Sequence, residues 1–319
     1  MAPLLEPPVV FIAGPTASGK SAAAVALAER IGGDIINADS MQLYDELRIL
    51  TARPGAAELA RAPHYLYGVL PAARPCSVAR WREMALARLA QSRRAGRVPI
   101  ITGGTGLYFR SLIDGLAPVP DIPPAVRAAA RRREGERPGA LHDELRVRDP
   151  IMAARLAPGD SQRVARAWEV VEATGVSLAD WQSRTIPGPL AADNAAGRIA
   201  KLVFMPPRAG LYKRIEARFE AMMAAGALNE ARALLAAGLD PGLPAMKALG
   251  LPALIGHLRG EHSLEEAVAA AKGATRRYAK RQYTWFSHQC EGWHFSNAQD
   301  SESFLQEIFP IIQKMVLTE

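Results

Sequence analysis

Eight residues near the start, Gly14-Pro15-Thr16-Ala17-Ser18-Gly19-Lys20-Ser21, constrain the fold more than any other stretch of the 319-residue chain. They fit G-x-x-x-x-G-K-[ST] and stand where that pattern has a mechanism. The apolar, partly β-branched run Val9–Ala13 reads as a buried strand, and Ala22–Ile31, rich in Ala and Leu, as a helix stopped by Gly32-Gly33. Glycines let backbone N–H groups turn inward, and the helix N-terminus adds partial positive charge, so this loop binds a phosphate or diphosphate. Lys20 supplies a point charge, and the Ser21 hydroxyl can ligate Mg2+.

The chain around the loop repeats the strand–helix alternation. Asp34–Asn37, Tyr65–Leu70 and Arg97–Thr102 read as strands, and Ser77 as the cap of a helix running to Arg94 and ended by Gly96. Such alternation predicts an α/β fold, a parallel, doubly wound P-loop sheet core flanked by helices. Pro118, Pro120, Pro123 and Pro124 then form a hinge, a purely helical stretch follows, and Pro187-Gly188-Pro189 makes a second hinge. The expected organisation is a core in two parts, 1–118 and 190–319, interrupted by an all-helical insertion domain over 119–189. Ile199–Phe204 is the last expected strand; Leu211–Ala225, Leu264–Phe286 and Ser303–Val316 are expected helices.

Composition excludes several classes. At 49% hydrophobic and 22% charged residues, the chain can bury a sizeable core, so wholesale disorder is out. No apolar run approaches the ~20 residues of a membrane span. Met1 to Glu6 lack a basic segment, so no signal peptide is expected. Only two cysteines, Cys76 and Cys290, exclude a disulfide framework and a four-cysteine zinc site, which points to a reducing cytoplasm. The net charge of +7 hints at a polyanionic partner. Its basic residues cluster as Arg93, Arg94 and Arg97, as Arg127 and Arg131 to Arg133, and as Arg276, Arg277, Lys280 and Arg281. On a helix, Arg277, Lys280, Arg281 and Thr284 share one face, while Ala274, Tyr278 and Trp285 share another that can pack.

A phosphate loop alone leaves the chemistry open. Nucleotide hydrolysis would call for a hydrophobic strand ending in Asp to hold Mg2+. Here Val98-Pro99-Ile100-Ile101 runs into Thr102-Gly103-Gly104-Thr105, without a carboxylate, and no Asn-Lys-x-Asp guanine reader is present. The available carboxylate is Asp39, just past the second strand, at the end of the sheet where the phosphate loop lies. An Asp there can be a general base, a Mg2+ ligand or simply a helix cap. His288, Cys290 and His294 fall short of a zinc site in number and spacing.

The ordered set of motifs resembles the tRNA dimethylallyltransferase family in its shorter, bacterial form. It comprises the phosphate loop, Asp39-Ser40-x-Gln42-x-Tyr44, Gly103-Gly104-Thr105-Gly106-Leu107-Tyr108, Asp149-Pro150, Gln162-Arg163-x-x-Arg166-Ala167-x-Glu169-Val170, and Ala274-Thr275-Arg276-Arg277-Tyr278-Ala279-Lys280-Arg281-Gln282-x-Thr284-Trp285. The resemblance implies transfer of a dimethylallyl group from its diphosphate to N6 of adenosine 37 in the anticodon loop, with Mg2+ as cofactor. It makes Asp39 the general base and places Thr16 near the reacting carbon, with Lys20 and Mg2+ at Ser21 stabilising the leaving diphosphate. Gly14 to Ser21 and Arg214 would bind the diphosphate. Asp39, Ser40, Met41, Gln42, Thr105 and Arg127 would contact tRNA. So would Gln162, Arg163, Val164, Ala165 and Arg166, and the stretch Met246, Lys247, Ala248, Leu249, Gly250 and Leu251. Arg277, Lys280 and Arg281 would meet the RNA backbone. No zinc finger, no membrane partner and a monomeric state are expected.

Two departures from the family pattern stand out. Where the family reads close to Asp-Ile-Gly-Thr-Ala-Lys-Pro, this chain has Arg48-Ile49-Leu50-Thr51-Ala52-Arg53-Pro54, and Leu251 replaces an aromatic. Three rival readings are an isopentenyltransferase acting on free AMP, ADP or ATP, a small-molecule kinase, and a nucleotide-switched RNA-binding protein. The first needs neither a long insertion nor a basic helix.

Overall fold

A computed structural model describes residues 6–317; the expectation of no signal peptide falls mainly on Met1 to Leu5, outside the described residues. Six strands, β1 Val9–Ala13, β2 Gly33–Asn37, β3 His64–Tyr65, β4 Val98–Gly103, β5 Ile199–Phe204 and β6 His294–Ser296, form one sheet in the order β3-β2-β4-β1-β5-β6. Every neighbouring pair is parallel. A parallel sheet covered on both faces needs strands apolar on both sides, and all five residues of β1 are buried.

On one face, Val10 and Ile12 of β1, Ile100 of β4 and Leu202 and Phe204 of β5 pack against helix Lys20–Ile31 and the C-terminal helix Ser301–Leu317. Phe204 stacks on Phe304 with ring centroids 4.4 Å apart. The opposite face carries Phe11, which meets Phe109 and Trp293 at 5.3 and 5.8 Å. Helix Val78–Arg94 begins as expected at Ser77, whose hydroxyl accepts from the Arg80 amide.

Two strand expectations are corrected. The third strand stops at Tyr65 and does not reach Leu70. Leu66 takes φ +65° and its carbonyl accepts from the Asn37 side chain, so the chain turns away from the sheet. Gly68, Val69 and Leu70 then bond to Gln42 and Leu43 in the loop after β2. Conversely, β6 lies in a region read as purely helical. Three edge residues, with His294 and Phe295 exposed, carry no periodic signal.

The chain divides into two compact units, one formed up to Arg110 and from Ala192 onward, the other Ser111–Ala191. The second is built of helices, with Leu141, Leu145, Val164, Ala167 and Trp168 in its own core. Its limits lie outside the prolines that suggested 119 and 189. The entering and leaving segments run side by side first: Gly188 N–H donates to Ile113 and Leu190 N–H to Leu112. A Cβ at Gly188 would lie 2.3 Å from the Leu112 carbonyl oxygen, so only glycine permits this approach.

Candidate active site at the ends of strands β1, β2 and β4

Strand β1 delivers the phosphate loop to the carboxyl edge of the sheet. A Cβ on Gly14 would sit 2.5 Å from the Phe204 carbonyl oxygen, and Ala17 and Gly19 take φ of 62° and 100°. These left-handed residues coil the backbone around the start of helix Lys20–Ile31. Lys20 is buried, and its Nζ donates to the Pro15 carbonyl at 3.1 Å. Burial pulls its pKa down to about 8; the Asp39 carboxylate works against the fall and Arg218 adds to it. The lysine is thus held without a full counter-charge, as a site for a polyanion requires.

Asp39 stands just past the end of β2, and its setting is built by Asn37. The Asn37 side chain accepts from the Asp39 amide at 2.8 Å and donates to the carbonyls of Asp39 and Leu66. Trp81, wholly buried and stacked on Tyr108 at 4.0 Å, donates from its indole nitrogen to the Asn37 carbonyl. Asp39 Oδ1 accepts from the Met41 amide at 3.0 Å. The end of β4 is sewn to the same stretch. Thr105 Oγ1 accepts from the Ser40 amide, and the Thr105 amide donates to Ala38. A Cβ on Gly103 would lie 2.1 Å from the Ala38 backbone, so this glycine is required. Burial, reinforced by the charge of Asp39, raises the phenols of Tyr67 and Tyr278 above their usual range.

Two contributors went unrecognised in the sequence. Arg218, one turn beyond Arg214 on helix Arg208–Ala224, donates from Nη2 to Thr16 Oγ1 at 2.5 Å. Burial lowers its pKa and the charge of Asp39 opposes that, which places its guanidinium in the field of the carboxylate. The signal was an arginine pair at i, i+4 on one helix face, of which only the first matched a motif. Gln282, on the long helix Leu264–Gln289, accepts from the Thr16 amide and donates to the Gly104 carbonyl, both at 2.9 Å. It lay within a quoted motif, but an amide with two backbone partners distant in sequence has no sequence signature.

Arg214 itself donates from Nε to Ala17 at 2.9 Å and from Nη1 to Gln299 at 3.3 Å. Its Nη2 is buried without a partner, an orphaned cationic donor beside the phosphate loop that an anion would satisfy.

Thr16, Lys20, Asp39, Ser40, Thr105 and Arg218 thus meet at one edge of the sheet, whereas the residues expected to contact tRNA divide. Gln42 is half-buried, and its Nε2 donates to the carbonyls of Thr51 and Ala52. Arg277, Lys280, Arg281 and Thr284 are exposed along one face of the long helix, as their spacing predicted. The stripe that packs is different from the expected one: Thr275, Ala279, Gln282 and Phe286 are buried, and Ala274, Tyr278 and Trp285 only half-buried. Trp285 still lies close on Gly106, where a Cβ would come within 2.0 Å of its ring.

Within Met246–Leu251, the side chains of Met246, Ala248 and Leu251 are buried and Lys247 alone is exposed. Of this stretch, only Lys247 and the half-buried Leu249 have side chains open to solvent. In the helical unit, Arg127, Gln162 and Arg163 are exposed, Ala165 and Arg166 half-buried, and Val164 belongs to the unit's core. Val164 is corrected accordingly, because an apolar side chain at that helix position faces inward.

Comparison with known proteins shows the family. Residues 42–289 match the family model described as IPP transferase, and residues 7–67 the one described as isopentenyl transferase. The chain is 52% identical to the tRNA dimethylallyltransferase of Parvibaculum lavamentivorans, over 97% of both chains. It is 56% identical to that of Rhodospirillum centenum, over 88% of this chain and 89% of the relative. It belongs to the tRNA dimethylallyltransferase family. Among solved structures, the full-length tRNA isopentenylpyrophosphate transferase of Bacillus halodurans aligns with a TM-score of 0.68 at 30% identity, covering 97% and 96% of the two chains. A eukaryotic dimethylallyltransferase acting on tRNA shares the fold, with a TM-score of 0.79 at 23% identity over 98% of this chain and 80% of that one.

The departures from the family pattern have structural settings. The amides of Arg48, Ile49 and Leu50 converge on the Glu230 carboxylate. Leu251 is fully buried at the start of helix Leu251–Leu258, so the lost aromatic is a change of packing. Among the described residues, no group of three or more His, Cys, Asp or Glu side chains could hold a metal ion. Ser21, half-exposed in the first turn after Lys20, offers one hydroxyl ligand. That suits Mg2+, which takes few protein ligands and completes its shell with phosphate oxygens and water.

Proposed function

We propose that this protein transfers a dimethylallyl group from dimethylallyl diphosphate to N6 of adenosine 37 in the anticodon loop of tRNA, releasing diphosphate. One observation carries the reading: the Asp39 carboxylate stands in the electrostatic field of Lys20 and Arg218 beside the phosphate loop, and the end of β4, Thr102-Gly103-Gly104-Thr105, carries no carboxylate. The allylic carbon–oxygen bond breaks with its electron pair leaving on the diphosphate, and a bond from adenine N6 to that carbon forms. The N6 proton passes to Asp39, whose Oδ1 is already engaged by the Met41 amide. Lys20, Arg218 and Arg214 stabilise the charge growing on the leaving group, and Thr16 is held beside it by Arg218 and Gln282. Mg2+ held at Ser21 would neutralise part of that charge when bound. The adenine leaves its stack to reach Asp39.

No helix among the described residues is long and apolar enough to cross a membrane, and Cys76 and Cys290 are not joined in a disulfide, a state that a reducing cytoplasm maintains. The test incubates the protein with Mg2+, labelled dimethylallyl diphosphate and either unmodified tRNA or AMP. Label in tRNA supports the reading; label in AMP alone assigns a free-nucleotide isopentenyltransferase instead.

The exposed arginines of the long helix make a separate prediction. Arg277→Ala with Arg281→Ala is expected to weaken tRNA binding and lower the slope of log affinity against log salt by about 1–2. A salt titration of tRNA binding checks it; an unchanged slope would assign both side chains to the solvated surface.

A further inference from the structure

We infer that Glu230 is a positioning residue for recognition of the target base, acting through Gln42; the inference rests on the tRNA-modifying reading above. Its carboxylate accepts three consecutive backbone amides from a loop some 180 residues earlier. Oε2 takes those of Arg48 at 2.9 Å and Ile49 at 2.7 Å, and Oε1 takes that of Leu50 at 2.9 Å. Successive N–H groups turned to one point form a nest for an anion, and here the nest is part-buried, with its Arg48 end at the surface and its Leu50 end turned inward. Glu230 sits in the first turn of helix Ala227–Ala236, where the helix dipole favours its charge.

The loop carries that anchor to the active site. The next two carbonyls, of Thr51 and Ala52, accept both hydrogens of Gln42 Nε2 at 2.9 and 3.0 Å. The Thr51 hydroxyl bonds to Leu47, and Arg53 Nη1 donates to the carbonyls of Tyr44 and Asp45. With its donors spent, Gln42 has only Oε1 to offer, a hydrogen-bond acceptor. It therefore selects a base edge that presents an N–H, and Gln42 stands three residues from Asp39. Glu230 fixes residues 48–50, these fix the carbonyls of 51 and 52, and those fix which end of the Gln42 amide faces the base.

The experiment compares Glu230→Ala, Glu230→Gln, Gln42→Ala and the Glu230→Ala/Gln42→Ala double variant. For each, kcat and KM for tRNA, Kd for unmodified tRNA, Kd for inorganic diphosphate and Tm are measured. Glu230→Ala is expected to lower kcat/KM for tRNA about tenfold, with diphosphate affinity within about twofold of wild type. Glu230→Gln, which keeps one oxygen for the nest, should lose less. The double variant should lose no more than the worse single, because both changes remove one contact. Losses that multiply overturn the inference, as does wild-type tRNA kinetics in Glu230→Ala. A fall in Tm with tRNA and diphosphate binding reduced alike would make Glu230 merely structural. If wild type transfers no label to tRNA, the functional reading fails first, and the tRNA Kd series still decides whether Glu230 acts on RNA.

Discussion

Asp39→Ala is expected to lower kcat by about a thousandfold, within the range that a positioned general base supplies. An adenine N6 amine is a weak nucleophile because its lone pair is delocalised into the ring. Its proton must leave as the carbon–nitrogen bond forms, and no second carboxylate stands at the end of β4 to take it. Diphosphate binding should survive, because the groups proposed to hold it, Lys20, Arg214 and Arg218, lie on other elements. Affinity should even rise slightly, since Asp39 is a negative charge near the site for an anion. Single-turnover rates with saturating substrates, alongside diphosphate titration, check both halves. Near-normal turnover in Asp39→Ala would remove it from the role of base.

Lys20→Met is expected to weaken diphosphate binding by about a hundredfold and to lower kcat by a similar factor, because it removes a desolvated cation whose effect on a growing charge is strong. A pH signature separates this from general damage. Burial has brought Lys20 down to about 8 from 10.5, so in the free protein about half of these lysines have lost that proton at pH 8. For stability the sign is fixed by linkage. Between the folded and unfolded values the unfolded chain holds more protons, so this group's contribution to stability rises with pH over about 8 to 10.5. Binding has the opposite trend. Diphosphate favours the charged lysine, so above about pH 8 binding must take up a proton and affinity falls. Calorimetry at pH 8.5–9 in buffers of different ionisation enthalpy should show proton uptake in wild type that Lys20→Met lacks. Equal uptake in both would overturn the assignment.

Much of the fold was legible because the signals were local. Strand β1 is an unbroken apolar run, and Gly14, Gly19 and Lys20 carry their backbone requirements in their own chemistry. The cap at Ser77 and the exposed face of Arg277, Lys280 and Arg281 follow from spacing within a single helix. What the sequence hid was short or distant. Three edge residues made β6, and a positive φ at Leu66 cut β3 to two residues. The packing stripe of the long helix was misplaced because alanines on several faces left its direction open until the neighbours were known.

The candidate site divides the same way. By itself the sequence determined that a phosphate loop precedes a helix, that Asp39 follows the next strand, and that no carboxylate follows Ile101. Each depends on residue type and short spacing alone. Only the tertiary structure decided that Arg218 reaches the Thr16 hydroxyl, that Gln282 joins Thr16 to Gly104, and that Glu230 gathers three amides of a loop 180 residues away. It also turned Met246, Ala248 and Leu251 inward. The reason is physical: buried polar groups must be paired, and the partner that satisfies them can come from anywhere in the chain that packing brings within hydrogen-bond reach.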